Sequence, residues 1–156
     1  MNRRDMLLAG ACMGLLSSAR AHHGWSSFDQ NRPIYLEGTV ADVKWRNPHA
    51  EFVLELTDAL SLPADLADRP LPAQTAGIDG KALLSRAQLP RRQDRRWEVE
   101  LAPLFRLGQW QLTEIAAGTQ VSVVGFTFKE EQGAPLLRAE YLFVGGRTYG
   151  LRSSPA

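Results

Sequence analysis

Three histidines carry the residue types and placement that suggest coordination chemistry in this 156-residue sequence: His22, His23 and His49. A histidine at the very start of a chain offers two nitrogens at once, the free α-amine and the ring Nδ1. Together they chelate one metal ion, and a further imidazole completes a T-shaped or square-planar set suited to Cu(II). Such an arrangement is called a histidine brace in copper proteins. His22 would supply the chelate and His49 the third nitrogen, while His23 offers an alternative through its ring and backbone amide. Zn(II) competes for imidazole, but three histidines without acid or sulfur make a less complete structural zinc site.

Plainer readings stand beside this one. A His-His pair near a chain end is commonly a solvated terminus. His49, following Asn47-Pro48, can equally hydrogen-bond a turn carbonyl. Trp25, Trp45, Trp97 and Trp110 read as core and rim packing rather than as a ligand platform. Two functions therefore stay open: binding of copper or another divalent ion through His22, His23 and His49, or a non-catalytic periplasmic interaction module with no metal, whose partner is another periplasmic protein. No catalytic residue or organic cofactor is assigned. The sequence has no Gly-x-Ser-x-Gly elbow and no paired carboxylate that stands out, so oxygen chemistry at a copper brace is the one enzymatic route in view.

A brace needs His22 to be a first residue, and the preceding segment provides for that. Arg3 and Arg4 form a charged start, Met6 to Ser18 is an apolar run, and Ala19-Arg20-Ala21 gives the small-x-small pattern of a signal-peptidase site. The run is shorter than the ~20 residues that span a bilayer, so no stable membrane anchor is expected after cleavage. Asn2-Arg3-Arg4-Asp5-Met6-Leu7-Leu8 also resembles a twin-arginine export signal. A lipoprotein reading through Cys12 is poor, since Ala9 stands where a large aliphatic residue is preferred. A periplasmic location follows as the expectation.

Cleavage after Ala21 would remove three cations (Arg3, Arg4, Arg20) and one anion (Asp5), turning the formal charge from +1 to −1. That near-neutral balance argues against nucleic acid as a ligand, which calls for a clustered basic surface. Cleavage would also remove Cys12 and all three methionines. What remains can form no disulfide and offers no thiolate or thioether to a soft metal.

The rest of the chain reads as short strands. Ile34, Leu36, Gly38 and Val40 alternate with polar neighbours, after which the apolar phase slips by one to Val43 and Trp45, the mark of a β-bulge that bends a strand. Arg46-Asn47-Pro48 signals a turn. A second strand follows at Ala50, Phe52, Leu54 and Leu56. A third has Trp97, Val99 and Leu101 against Glu98 and Glu100. The fourth spans Gln120 to Phe128, with a second phase slip from Val121 and Val123 to Val124, Phe126 and Phe128. A turn at Gly133 leads into the fifth, Leu136 to Val144, with Leu137, Ala139, Tyr141 and Phe143 on one face and Gly145-Gly146 at its end.

Two segments interrupt this pattern. Residues 60–96 contain four prolines and the run Arg91-Arg92-Gln93-Asp94-Arg95-Arg96. With no sustained period, they read as a long surface insertion that is mobile and dispensable for folding, with a helical turn or two at Ala82 to Gln88 and the arginines as a solvated hinge. Pro103 to Ile115 fits a short helix or capping loop that closes one end of a barrel. The organisation expected is a signal peptide at 1–21, an arm at 22–33, a barrel at 34–150 with the insertion at about 60–96, and a tail at 151–156. The fold class expected is all-β: a small OB-like five-stranded Greek-key barrel.

His22-His23, Phe28-Asp29, Leu36-Glu37-Gly38-Thr39-Val40 and above all Trp45-Arg46-Asn47-Pro48-His49 resemble the domain-of-unknown-function 6152 family of bacterial exported proteins. Trp97-Glu98-Val99-Glu100-Leu101 and Gly118 to Gly125 are similar to it too, so the resemblance covers roughly Ala21 to Arg147 apart from the insertion. It implies an exported single domain and supplies no activity.

Overall fold

The computed structural model describes residues 23–156. The signal-peptide reading at 1–21, Cys12 and His22 lie outside the described residues. Six strands form the sheet: β1 (Ile34–Lys44), β2 (Glu51–Leu56), β3 (Arg96–Glu100), β4 (Gln120–Phe126), β5 (Leu136–Val144) and β6 (Arg147–Gly150). Their order is β3-β2-β1-β4-β5-β6, and a parallel pairing of β3 with β5 closes the first five into a barrel. This is the OB-type Greek-key barrel expected from the strand pattern. Among the described residues two short α-helices accompany it, α1 (Gly80–Ser85) and α2 (Leu104–Gln109). Among the described residues no helix is long and apolar enough to cross a membrane.

β1 does the work of two strands. Its first half pairs with β4 and its second half with β2, the two overlapping at Gly38 and Thr39. The crossing demands glycine at 38, because a Cβ there would lie 2.0 Å from the Glu55 carbonyl oxygen. The register between Ala41 and Lys44 then shifts, with Asp42 at φ 44°. This is the bulge signalled by the slip to Val43 and Trp45, which pack against the barrel core.

The second bulge is real but sits one strand further on. β4 alternates without interruption, with Val121 and Val123 turned inward and Val124 and Phe126 outward. The extra residue is Glu140 in β5, where Val124 faces Tyr141 while Gly125 faces Ala139. Leu137 and Ala139 therefore share the interior with Leu142, whereas Tyr141 and Phe143 turn to the outer face. The single apolar face read for β5 is thus corrected, since an inserted residue reverses every side chain beyond it. Gly145 and Gly146, at φ 58° and 75°, make the tight turn to β6, a strand the sequence reading did not include.

The barrel interior is filled by Trp97, Phe52, Leu54, Leu36, Leu137 and Leu142, all fully buried. Leu107 and Trp110, from α2 and its end, close one mouth as expected of Pro103–Ile115. The Trp110 indole N–H donates to the Ser153 carbonyl at 2.9 Å, so the tail is pinned rather than free.

Residues 60–96 differ from the mobile loop expected of them. Leu66, Leu83, Leu84 and Ala87 are buried and form a second core with Phe28 of the arm and with Tyr35, Val124, Phe126, Leu136 and Tyr141 on the outer face of the barrel. α1 starts on a side-chain cap, Asp79 accepting from the Ala82 N–H at 2.9 Å. The helical turn expected near Ala82 is present, but its apolar residues are what cover the sheet. The arginine run is likewise a clamp rather than a solvated hinge. Arg92 donates to the carbonyls of Glu131 and Gly133, Arg95 pairs with Asp58 at 2.6 Å, and Arg96 pairs with Asp42 and Glu55.

Candidate functional site

Inward placement of Phe52, Leu54, Trp97 and Val99 obliges their neighbours on β2 and β3 to point out. Glu51 stands directly opposite Glu100, with Glu98 one pair further along opposite Val53. Three carboxylates thus share one outer patch, at the corner where the β1–β2 connection, the β4–β5 connection and the arm meet. Together they line a cleft of about 380 Å³ with His23, Arg46 and His49. A paired carboxylate is therefore present after all; it lay hidden because its members are 49 residues apart and only the β2–β3 register joins them.

Like charges placed across a strand pair repel, and the surroundings answer this. Lys44 reaches Glu51 at 3.1 Å. Glu100 is held from two sides, its Oε1 lying 3.2 Å from His49 Nε2 and its Oε2 accepting from Arg138 Nε and Nη2 at 3.0 and 2.9 Å. Arg138 arrives there because β5 runs parallel to β3 with Glu100 and Arg138 in register. Glu51 and Glu100 are both buried. Buried carboxylates persist when paired and hydrogen-bonded.

Arg138 also fastens the arm. Its Nη2 donates to the His23 carbonyl at 2.6 Å, and its guanidinium lies 4.3 Å from the Phe28 ring centroid and 5.0 Å from that of Trp25. Arg152 covers Trp25 as well, at 3.9 Å. Such contacts over aromatic faces contribute about 0.5–2 kcal/mol each. Phe28 stacks on Phe128 at 5.1 Å, and the His23 ring meets Phe128 edge-on at 4.8 Å. The arm therefore folds back on the barrel, and His23 lines the same cleft as His49.

Of the three histidines singled out by sequence, two are brought together and the third, His22, lies outside the described residues. Among the described residues no three His, Cys, Asp or Glu side chains converge as a ready metal-ligand set. Glu51, Glu98, Glu100 and Arg138 were missed as site residues. Glu98 and Glu100 read as the solvent face of a half-buried strand, and nothing local marked Arg138. A wider depression of about 480 Å³, between Arg69, Phe143 and the Gly145-Gly146 turn, is open to solvent and among the described residues is lined by no histidine.

Residues 11–61 match the model of a family of unknown function, DUF6152. The resemblance read from the arm and from Trp45–His49 holds over that stretch, which takes in His23, β1, the β1–β2 connection and β2. It stops where the insertion begins. No curated protein and no solved structure matches the chain.

Proposed function

We propose that this protein is an exported periplasmic β-barrel that binds Cu(II) in the cleft between its arm and the His49 loop. After cleavage at Ala21, the α-amine and ring of His22 would form the chelate, with His49 as the further imidazole. One observation carries this reading: His23 and His49, far apart in sequence, line one cleft that also contains three glutamates. A chain beginning at His22 has its amine one residue from His23. Imidazole is a suitable ligand for copper. The cleft also occupies the part of an OB barrel, strands 2 and 3 with the adjoining loops, where this architecture commonly takes its ligand. Here that surface presents two histidines beside three glutamates, a set of donors that suits a cation rather than a nucleic acid. Glu100 beside His49 Nε2 fits the carboxylate that orients a ligating imidazole.

The test compares starts of the chain. Protein beginning at His22 should bind one Cu(II), measured by competition with a chromophoric chelator. Placing a single Gly before His22 displaces the amine while keeping every side chain, and should weaken binding at least tenfold. His49→Ala should weaken it too, and acid should release the metal as amine and imidazole take up protons. Equal affinity of the native and Gly-extended chains would remove the amine from the site and leave the metal-free interaction module as the better reading.

A further inference from the structure

Pro48 and His49, which line the first cleft, also line a second cavity of different chemistry. It measures about 270 Å³, and among the described residues its walls are the apolar Trp25, Pro48, Leu101, Pro103 and Leu151, with His49 and the two arginines Arg106 and Arg138. Arg138 is neutralised by Glu100. Arg106, projecting from α2, has no carboxylate partner among the described residues. It donates through Nη1 to the Leu151 carbonyl at 3.1 Å, while its Nε is buried with no acceptor in the protein. A guanidinium presents its donors in a rigid fork matched to two anionic oxygens. A donor left buried and unused has given up water without gaining an acceptor, which is unfavourable.

We propose that this cavity binds a small organic carboxylate whose apolar body lies against Trp25, Pro48 and Pro103 and whose carboxylate meets Arg106. Three features select that class. Arg106, a cation in the wall with no carboxylate partner among the described residues, calls for an anion. The remaining wall is apolar and aromatic, which adds area burial for an apolar body and gives nothing to a bare inorganic ion. The volume suits a ligand of about the size of one aromatic ring. None of this depends on metal in the neighbouring cleft, so the two readings stand or fall separately.

The experiment uses benzoate, its uncharged isostere benzamide, and inorganic phosphate, titrated separately into ¹⁵N-labelled protein. The Arg106 Nε–H resonance is followed by heteronuclear NMR. Benzoate should shift that resonance saturably, whereas benzamide and phosphate at the same concentrations should shift it at least tenfold less. Arg106→Gln should weaken benzoate binding tenfold or more, read by calorimetry. Arg106→Lys, which keeps the charge but loses the fork, should fall between. Absence of a saturable shift with benzoate would overturn the proposal, as would an equal response to phosphate or to benzamide. The wild-type titrations decide the matter even where a variant fails to fold.

Discussion

Glu140 is the extra residue of the β5 bulge, and it ends fully buried with its Oε2 taking two hydrogen bonds from Arg152, at 2.9 and 2.7 Å. Burial pushes its carboxyl above the usual carboxylate range, with Arg152 pulling against that rise. Arg152→Met should therefore be costly, by about 3–5 kcal/mol, because it abandons a buried acid without its counter-charge. The double change Arg152→Met with Glu140→Met should recover most of that loss, as urea unfolding would show. Glu131 presents the opposite case. Burial pushes its carboxyl up, but the N–H groups of Arg91 and Arg92, with the Arg32 guanidinium, outweigh burial and hold it below its ordinary 4.5. Its contribution is thus fully present above that ordinary value and lost as pH falls through the lower folded one. Glu131→Gln should be less stable than wild type at pH 7, and the gap should narrow under acid, as urea midpoints measured across pH would show. At this scale His23 and His49, which line the cleft, stood out in the sequence by residue type alone. Glu51, Glu100 and Arg138 were not, because strand register rather than residue type makes them neighbours.

Among the elements, those built on period-2 alternation were legible, including the β1 bulge, where Val43 and Trp45 change phase in plain view. β5 misled, because Tyr141 and Phe143 are as apolar as the Leu142 and Val144 that alternate with them. The insertion misled more. Leu66, Leu83, Leu84 and Ala87 follow no single period, since they come from a 3-10 turn, a six-residue helix and the residue just past its C-cap. A usable signal existed elsewhere: Tyr35, Val124 and Phe126 are large apolar residues on the outward phase of their strands, which only a covering layer explains. Leu84→Ala should then cost about 2–5 kcal/mol, the usual range for a buried leucine. Replacing residues 60–91 with a Gly/Ser linker should strip that layer and abolish cooperative thermal unfolding. A melting midpoint within a degree or two of wild type would show that the barrel stands without it.

Across the described residues, one closed barrel carries two cavities that share Pro48 and His49, one lined by Glu100 and the other by its partner Arg138. That pair joins strands paired in parallel, so the contact that closes the barrel also links the two cavities. The arm belongs to this design, since its path past the cleft depends on guanidinium groups from β5 and the tail.

That dependence sets an order in time. A ribosome makes the arm long before it makes Arg138, which follows His23 by 115 residues, and Arg152 comes later still. Trp25 and Phe28 cannot be clasped by groups that have not yet been synthesised. The segment that emerges early is thus among the last to be secured, and any enzyme acting near residue 22 during that interval meets a chain not yet held against the barrel.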